Sequence, residues 1–486
     1  MRAEPSRLTS PVGTLEAEPR RVAPHAARVL GGGTLITNDA GEWHVLSSAD
    51  YARYAAGAIP DDDVLGAALA GKDFIRERLD FARMGGALTA RHLLDWPGPS
   101  VHTMVVTRRC NFKCVYCHAS VIAQDDASTD MTVETARRAV DLAFQSANPE
   151  MTIEFQGGEP LLNWPVVKFI VEYARLKNKT AKKTLHFGLI SNFSLLTEEM
   201  ADWLIERGVS FCTSLDGPAD LHDRNRTFLG GNGHASVLVG LKMILAKKKI
   251  SGAKVDAPNA ICTVTRGSLK RAREIVDQVV GLGLERVQLG PLDPVGFARR
   301  SWDAIGYTTE EFVAFYADAL DHLISLNKQG VKAYEKMALV LLIRILEGGH
   351  WRFPNADGLA RLAYDWDGSV YTGEDGRLLA AEGDAFFKIG TVASATMAGL
   401  LDHPTVKASL YASMSWSQPQ CFQCAYAPYC TVQPVYNHET QGGLFGQMPT
   451  NGWCGKMMGI FDVLFARLQD PEARKVLESW LEYKDR

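Results

Sequence analysis

The sequence lacks any long apolar run. No stretch of the 486 residues approaches the roughly 18 consecutive apolar residues of a membrane-spanning helix. Residues 1–25 are rich in Arg, Glu, Pro and Ala, and they lack the apolar segment of a secretory signal peptide. We therefore expect a cytoplasmic protein with no membrane partner, whose residues 1–25 form a disordered tail.

A large excess of charge of either sign is also missing. The formal net charge is −4, which argues against a protein that binds nucleic acid. The hydrophobic fraction of 46% is ordinary for a globular chain. The length predicts about two to four domains.

The nine cysteines are unevenly distributed, and an odd number cannot all pair as disulfides. Seven of them fall into two groups, Cys110, Cys114 and Cys117, and Cys421, Cys424, Cys430 and Cys454. In a reducing compartment such groups indicate metal binding or catalysis rather than disulfides. The other two, Cys212 and Cys262, lie in apolar runs and are expected to be core thiols on strands.

An alternation of strand and helix patterns begins near residue 101. Six strand-like runs are each followed by helical spacing, and the runs are VHTMVV, TIEFQ, LHFGLIS, VSFCTSL, NAICTVT and RVQLGPL. This alternation predicts a parallel sheet with right-handed crossovers, either an incomplete barrel or an open sheet. Functional residues in such folds lie at the carboxyl ends of the strands, and CNFKCVYC (110–117) directly follows the first strand.

The patterns on either side of this alternation are different. Before it, TLIT (34–37) and EWHVL (42–46) predict two strands joined by a hairpin, with helical patterns after them. After residue 330, a helical pattern precedes the hairpin-like DWDGSVYTGEDGRLL and a loop-rich segment with clustered cysteines, which predicts a metal-stabilised module. We predict four regions, the tail 1–25, a strand-and-helix module 26–95, an α/β region 100–330 and a cysteine-rich region 331–486.

Three thiolates at CxxxCxxC spacing can bind three irons of a four-iron cluster and leave the fourth iron open. This motif after the first strand, FQGGEPLLNW (155–164) after the second and TSLDGPADLHDRNR (213–226) around the fourth resemble the radical SAM superfamily. The resemblance implies a partial (β/α)6 TIM-like barrel. It also implies a [4Fe-4S] cluster on Cys110, Cys114 and Cys117, with S-adenosyl-L-methionine bound to the fourth iron.

The same motifs imply a set of cofactor-binding residues, namely Tyr116, Gly157, Gly158, Glu159, Ser191, Asn192, Ser214 and Arg226. In the family, the Gly-Gly-Glu stretch meets the amino group of the cofactor and the segment like SNFSLLT (191–197) contacts its ribose. Arg226 would pair with the carboxylate, and Tyr116 would lie near the adenine. Asp216 is a candidate either for a direct catalytic role or for a loop cap.

The second cysteine group resembles the SPASM domain, which carries auxiliary iron–sulfur clusters in peptide-modifying radical enzymes. By this match, one auxiliary [4Fe-4S] cluster has four ligands, Cys421, Cys424, Cys430 and Cys454. Pro434 stands where the family has a further cysteine, and no cysteine lies between residues 263 and 420, so the ligands of an inner cluster are missing. Four cysteines can also form a zinc site, and that alternative stays open.

The motifs IEFQGGEPLLNWP, TSLDGPADLHDRNR and CAYAPYC most resemble the radical SAM maturases of His-Xaa-Ser peptide systems, although Gln433 stands where that family has a cysteine. The resemblance implies an oxidoreductase-type enzyme that modifies a ribosomally synthesised precursor peptide, with a cyclophane-type side-chain cross-link as the leading product. The alternatives are a sulfatase-type maturase that makes formylglycine and a non-catalytic iron–sulfur scaffold that binds peptide.

The implied partners are a precursor peptide with a leader and an external electron donor of the flavodoxin or ferredoxin type. Residues 28–94 resemble the winged-helix-like peptide-recognition modules fused to such maturases, and a linker domain is the alternative. A strand at 34–37 or 43–46 with a free edge could accept the leader by strand addition.

Overall fold

The computed structural model describes residues 21–60, 62–92, 97–117, 121–251, 257–348 and 357–484. Their contacts divide the chain into two compact units. The first takes in Met1–Thr89 and Gln423–Pro428, and the second takes in Ala90–Phe422 and Tyr429–Arg486. Most of the predicted tail lies outside the described residues, whereas Val22 forms a β-bridge with Ile75.

The first unit is built on a three-stranded antiparallel sheet in the order β1 (Ala26–Leu30), β2 (Gly33–Thr37) and β3 (Trp43–Leu46). The sheet is followed by α1 (Ser48–Ala55), α2 (Val64–Ala70) and α3 (Phe81–His92). The predicted hairpin of TLIT and EWHVL is confirmed as β2 and β3. The strand β1 was not predicted, because AARVL contains a single β-branched residue and gives a weak strand pattern.

The second unit contains twelve described strands, β4 (Val101–Thr107), β5 (Phe112–Cys114), β6 (Glu150–Gly157), β7 (Thr184–Ile190), β8 (Val209–Ser214), β9 (Arg226–Phe228), β10 (Asn259–Val264), β11 (Arg286–Pro291), β12 (Tyr334–Glu335), β13 (Arg361–Tyr364), β14 (Ser369–Tyr371) and β15 (Lys388–Thr391). Ten of them form one sheet in the order β12-β11-β10-β8-β7-β6-β4-β13-β14-β15. From β4 to β11 the neighbouring strands are parallel and follow the chain order, so all six predicted strands are confirmed.

The described helices of this unit are α4 (Val133–Ala143), α5 (Trp164–Ala181), α6 (Glu198–Glu206), α7 (Ala219–Asn225), α8 (Gly233–Ser251), α9 (Ala272–Gly281), α10 (Phe297–Arg300), α11 (Trp302–Ile305), α12 (Thr309–Lys328), α13 (Lys336–Leu346), α14 (Glu374–Ala381), α15 (Met397–Leu401), α16 (Pro404–Ser413), α17 (Pro434–Gln441), α18 (Gly452–Leu468) and α19 (Pro471–Ser479). Several begin at a threonine whose hydroxyl accepts a backbone N–H of the first turn, as at Thr132, Thr197 and Thr308. None of the described helices is long and apolar enough to cross a membrane.

Short 3₁₀ turns connect several of these elements, at Arg76–Arg78, Ala127–Thr129, Pro160–Asn163, Arg266–Ser268, Ser415–Ser417, Cys421–Gln423, Met448–Thr450 and Trp480–Tyr483. The turn Pro160–Asn163 directly follows the GGE stretch and leads into α5. The side chain of Glu159 caps this turn by accepting the N–H of Leu161.

The C-terminal strands extend the same sheet. β13 lies parallel to β4, and β14 and β15 continue in antiparallel fashion. The predicted hairpin DWDGSVYTGEDGRLL forms only in part, because β13 and β14 flank the turn but the residues after Gly373 form α14. Residues from the predicted cysteine-rich region therefore extend the sheet of the α/β region.

Candidate active site

A cavity of about 440 Å³ lies at the carboxyl ends of the central strands. The last residues of β6, β8 and β11, which are Gly157, Ser214 and Pro291, contribute to its wall. The cavity is also lined by all three cysteines of the first group, Cys110, Cys114 and Cys117. This position agrees with the sequence-based prediction that the functional residues lie at the carboxyl ends of the parallel strands.

Most of the predicted cofactor-binding residues meet at this cavity. Those that line it are Tyr116, Gly157, Gly158, Ser191, Asn192, Ser214 and Arg226. Glu159 and Asp216 belong to the described residues but are not among those that line the cavity, and both are fully buried.

The cysteine loop is held by a two-stranded antiparallel sheet. β5 pairs with β9, and the pairing places Cys114 directly opposite Arg226. Phe112 stacks on Phe228 with 4.7 Å between the ring centroids. This sheet was not predicted, because strands of three residues are too short for a periodic pattern.

The two glycines of the GGE stretch allow two chain segments to approach closely. A Cβ on Gly157, which has φ +134°, would lie 2.2 Å from the Thr107 carbonyl oxygen. A Cβ on Gly158 would lie 2.0 Å from the carbonyl oxygen of Arg109. Only glycine fits both positions, so these residues bring the end of β6 against the start of the cysteine loop.

The Glu159 carboxylate has hydrogen-bond partners within the protein that its motif did not indicate. It accepts the N–H of Leu161 at 3.0 Å, the hydroxyl of Ser191 at 2.8 Å and the N–H of Asn192 at 2.8 Å. Burial raises the pKa of this carboxyl group to about 7, although the three hydrogen bonds favour its ionised form. Glu159 thus fixes the Ser191–Asn192 segment, which itself lines the cavity.

The Asp216 carboxylate is surrounded by four donors. It accepts hydrogen bonds from the hydroxyl of Tyr116, Nδ2 of Asn225 at 3.1 Å, the N–H of Thr263 at 3.1 Å and Nε of Arg226 at 3.1 Å. Burial also raises the pKa of Tyr116 well above its usual value, so this phenol stays a donor. The candidate catalytic residue therefore lies behind the cavity wall.

Arg226 is the one cation among the described residues that line the cavity. Its guanidinium carbon lies 5.2 Å from the centroid of the Tyr116 ring. Its Nη1 lies 4.0 Å from Sγ of Cys114. A guanidinium in this position can bind a carboxylate in the cavity.

The three thiols fit a cluster with one open iron. Burial raises the pKa of Cys114 to about 12 and also raises the pKa of Cys110, so both hold their protons until a metal displaces them. Among the described residues, no group of three His, Cys, Asp or Glu side chains is arranged around a single metal ion. The fit rests on the three thiols that share one cavity and on the room within it.

The four cysteines of the second group lie on different segments. Cys421 begins a 3₁₀ turn, Cys424 belongs to the segment Gln423–Pro428 of the first unit, and Cys454 lies in α18. Sγ of Cys424 accepts the N–H of Tyr426 at 3.4 Å. All nine cysteines are described, and none of them forms a disulfide. The auxiliary cluster stays a prediction.

Residues outside the recognised motifs complete the cavity, among them Asp293, Glu374, Asp375, Gln433 and Tyr436. Their sequence signal is weak, since each acidic residue only follows the end of a strand, β11 or β14. Arg377 donates to Glu374 at 2.7 Å, which places a buried cation behind this part of the wall.

Comparisons with known proteins agree with this geometry. Residues 104–247 match the model of the Radical SAM superfamily. Over 190 residues, 39% of the chain, the sequence is 30% identical to an uncharacterized protein of Methanocaldococcus jannaschii. Over 132 residues, 24% of the chain, it is 27% identical to the radical SAM cyclopropyl synthase TigE of Paramaledivibacter caminithermalis. The matches span 61% and 27% of the lengths of these two relatives.

The fold is similar to the solved structure of native anSMEcpe with bound AdoMet and Cp18Cys peptide. The TM-score is 0.64 at 19% identity, and the similarity covers 78% of this chain and 100% of that chain. In this mixed α/β fold with a parallel central sheet, the chain carries a radical SAM domain, matched over residues 104–247.

Proposed function

We propose that the protein is a radical SAM maturase that modifies a ribosomally synthesised precursor peptide. The observation that carries the proposal is one cavity lined by Cys110, Cys114 and Cys117 together with seven of the eight predicted cofactor-binding residues. The radical SAM match supports the cofactor, and the similar fold of a structure that holds both AdoMet and a peptide supports the substrate class.

In this proposal, Cys110, Cys114 and Cys117 hold the [4Fe-4S] cluster. When bound, the cluster and S-adenosyl-L-methionine would supply the radical chemistry, in which a 5′-deoxyadenosyl radical takes a hydrogen from the substrate. Arg226 would bind the cofactor carboxylate, and Ser191 and Asn192, which line the same cavity, would contact its ribose.

The apolar part of the cavity wall, which includes Ile190, Ile261 and Val295, excludes water from the reacting atoms. Gly157, Gly158 and Ser214 line the same cavity, where their small size leaves room for the cofactor. Tyr116 presents its ring at the wall, where we place the adenine.

The remainder of the architecture follows from the same resemblance. We propose that the six parallel strands form a partial (β/α)6 barrel and that residues 331–486 form a SPASM-like domain. Cys421, Cys424, Cys430 and Cys454 would hold the auxiliary [4Fe-4S] cluster. A flavodoxin- or ferredoxin-type donor in the cytoplasm would supply the electrons.

Two strands are candidates for the binding site of the leader peptide, at residues 34–37 and 43–46, and only one of them lies at an edge of the described sheet. β2 has β1 and β3 as neighbours, so the expectation of a free edge at residues 34–37 is wrong. β3 is an edge of this three-stranded sheet. We propose that β3 accepts the leader by strand addition, where backbone hydrogen bonds supply affinity.

The first test is reductive cleavage of S-adenosyl-L-methionine by anaerobically reconstituted protein. We expect release of 5′-deoxyadenosine by the wild type and none by the Cys110→Ala, Cys114→Ala, Cys117→Ala triple variant. The matched control is Cys212→Ala, which removes a thiol outside both groups. A wild-type protein that holds iron but releases no 5′-deoxyadenosine would indicate the non-catalytic scaffold.

The second test first searches the open reading frames beside the gene for a short precursor peptide and then identifies the product formed on it. A side-chain cross-link removes two hydrogens and suppresses fragmentation between the linked residues in tandem mass spectrometry. Oxidation of a serine to formylglycine also removes two hydrogens, but the aldehyde that it forms reacts with hydrazine reagents. A hydrazine-reactive product would replace the cross-linking proposal with the sulfatase-type alternative.

A further inference from the structure

We infer that Asp216 is a positioning residue, which holds Arg226 and Tyr116 at the cavity wall beside Cys114 and does not react with the substrate. The inference rests on the proposed function, because it assumes that S-adenosyl-L-methionine binds in the cavity. It assigns to Asp216 a role different from the direct catalytic role that its motif left open.

Asp216 has no acceptor capacity left for a substrate. Its side chain is 0% exposed, and it is not among the described residues that line the cavity. Arg226 and Thr263 donate to Oδ1, while Tyr116 and Asn225 donate to Oδ2. An ionised carboxylate has about four lone-pair positions, and four donors occupy them.

The four donors to Asp216 belong to two different parts of the structure. Asn225 ends α7 and Thr263 lies in β10, so they anchor Asp216 to the scaffold. Thr263 also lines the cavity, but it donates to Asp216 through its backbone N–H, whereas Tyr116 and Arg226 do so with side chains that reach the cavity. Asp216 therefore connects the rigid part of the fold to two cavity groups.

The ion pair with Asp216 also sets the direction of the Arg226 guanidinium. Nε is taken by Asp216, so the two Nη atoms point to the remaining neighbours. Nη1 lies 4.0 Å from Sγ of Cys114, and Nη2 lies 3.4 Å from the hydroxyl of Thr263. This orientation keeps both Nη atoms at the cavity wall, where they would be available to a cofactor carboxylate, and it holds the positive charge beside a predicted cluster ligand.

A fixed cation beside one sulfur affects the cluster itself, because hydrogen bonds and charge near the sulfurs set its electronic properties. If Asp216 is neutralised, Arg226 loses its ion pair and is free to turn away from Cys114. Both cofactor binding and the spectrum of this cluster then change. A residue that acted only on the substrate would change neither.

The test compares Asp216→Asn with Asp220→Asn in the full-length reconstituted protein. Asp220 is a suitable control because it lies on the adjacent α7, is 61% exposed and pairs with Arg271 at the surface. The measurements are iron content, the dissociation constant of S-adenosyl-L-methionine, and the change in the EPR spectrum of the reduced protein when this cofactor is added. Only the cluster with the open iron can bind the added cofactor, so this spectral change reports on that cluster and not on the auxiliary one.

For Asp216→Asn we expect retained iron, a dissociation constant raised on the order of tenfold, and an altered EPR change. Asp220→Asn should match the wild type in all three. Arg226→Lys should resemble Asp216→Asn. The double variant should bind S-adenosyl-L-methionine no more weakly than the single variant with the larger loss of affinity, because both substitutions act through one ion pair.

One outcome would overturn the inference in favour of a catalytic role. In it, Asp216→Asn binds the cofactor and shows the same EPR change as the wild type but makes no peptide product. Additive effects in the double variant would also overturn the inference. If Asp216→Asn loses iron, Asp216→Glu replaces it in the test because it keeps the charge. A normal dissociation constant together with loss of the peptide product in that variant contradicts the inference. Failure of the proposed function is distinct, because the wild type itself would not bind the cofactor.

Discussion

The ammonium group of Lys456 lies 2.5 Å from the carboxylate of Asp293, and it also donates to the carbonyl oxygen of Leu292 at 2.8 Å. Lys456 is on α18, two residues after Cys454, whereas Asp293 and Leu292 line the cavity. The lysine is only 4% exposed. This contact ties the helix that carries a predicted auxiliary ligand to the loop after β11.

Replacing Lys456 with Met should lower the free energy of unfolding by about 1.5–3 kcal/mol, because it removes a charged donor from two acceptors. The decrease should be smaller than for a fully buried pair, because Asp293 is 27% exposed and water can reach it. Urea titration under anaerobic conditions measures the change. Lys475→Met on the exposed surface of α19 is the control, and equal stability of the two variants would contradict the prediction.

Replacing Glu159 with Gln should weaken cofactor binding while the protein keeps its iron. The Gln amide cannot accept at both former oxygen positions, so the Ser191–Asn192 segment loses part of its support. We expect the dissociation constant of S-adenosyl-L-methionine to rise on the order of tenfold. Equilibrium dialysis measures it, with Glu154→Gln on the preceding strand β6 as the control. An unchanged constant would remove Glu159 from the support of the site.

The stability of the protein should depend on pH through His102. This residue lies on β4 and is fully buried, and its Nδ1 lies 2.9 Å from the hydroxyl of Tyr364 on the neighbouring strand β13. Burial, with a smaller effect of the nearby Lys183 charge, lowers the pKa of His102 to about 3. The unfolded chain therefore binds the proton more readily, and stability decreases as the pH falls below about 6.5.

At about pH 5 this group alone should cost about 2 kcal/mol relative to neutral pH. His102→Gln should flatten the pH dependence of unfolding, and His186→Gln on the exposed side of β7 should not. Chemical denaturation from neutral pH to about pH 5 measures both. Parallel curves for wild type and His102→Gln would contradict the assignment.

The iron content tests the two predicted clusters. Reconstituted wild type should hold about eight irons per chain, and Cys454→Ala about four. Cys262→Ala should match the wild type, because Cys262 is a buried thiol on β10 outside both groups. About four irons together with one zinc in the wild type would support the zinc alternative for the second group.

The strands could be predicted because parallel strands buried on both faces form unbroken apolar runs, as at Met104, Val105 and Val106, all 0% exposed. The GGE motif indicated which residues gather at the site but not the direction of the Glu159 carboxylate, which depends on the distant Asn192. Asp293 and Glu374 could not be identified, because only tertiary packing brings them to the cavity.

The last prediction concerns the segment Gln423–Pro428, which groups with the first unit. Within that unit, the Thr37 hydroxyl of β2 donates to the Ala425 carbonyl oxygen at 2.8 Å, and the Arg28 guanidinium lies 5.4 Å from the Tyr426 ring centroid. Cys424 lies in the same segment. The N-terminal module therefore supports a predicted cluster ligand in addition to its proposed role in leader binding.

Thr37→Val removes the donor and leaves a buried carbonyl oxygen without this partner, which typically costs about 1–3 kcal/mol. We expect Thr37→Val to lose iron from the second site faster under a chelator than the wild type, while reductive cleavage of S-adenosyl-L-methionine persists. Thr34→Val is the matched control, because Thr34 is a buried threonine on the same strand. Chelation followed by iron absorbance measures the rates. Equal rates of iron loss in the two variants would show that the contact does not support Cys424. Leader binding would then be the one proposed role of the module.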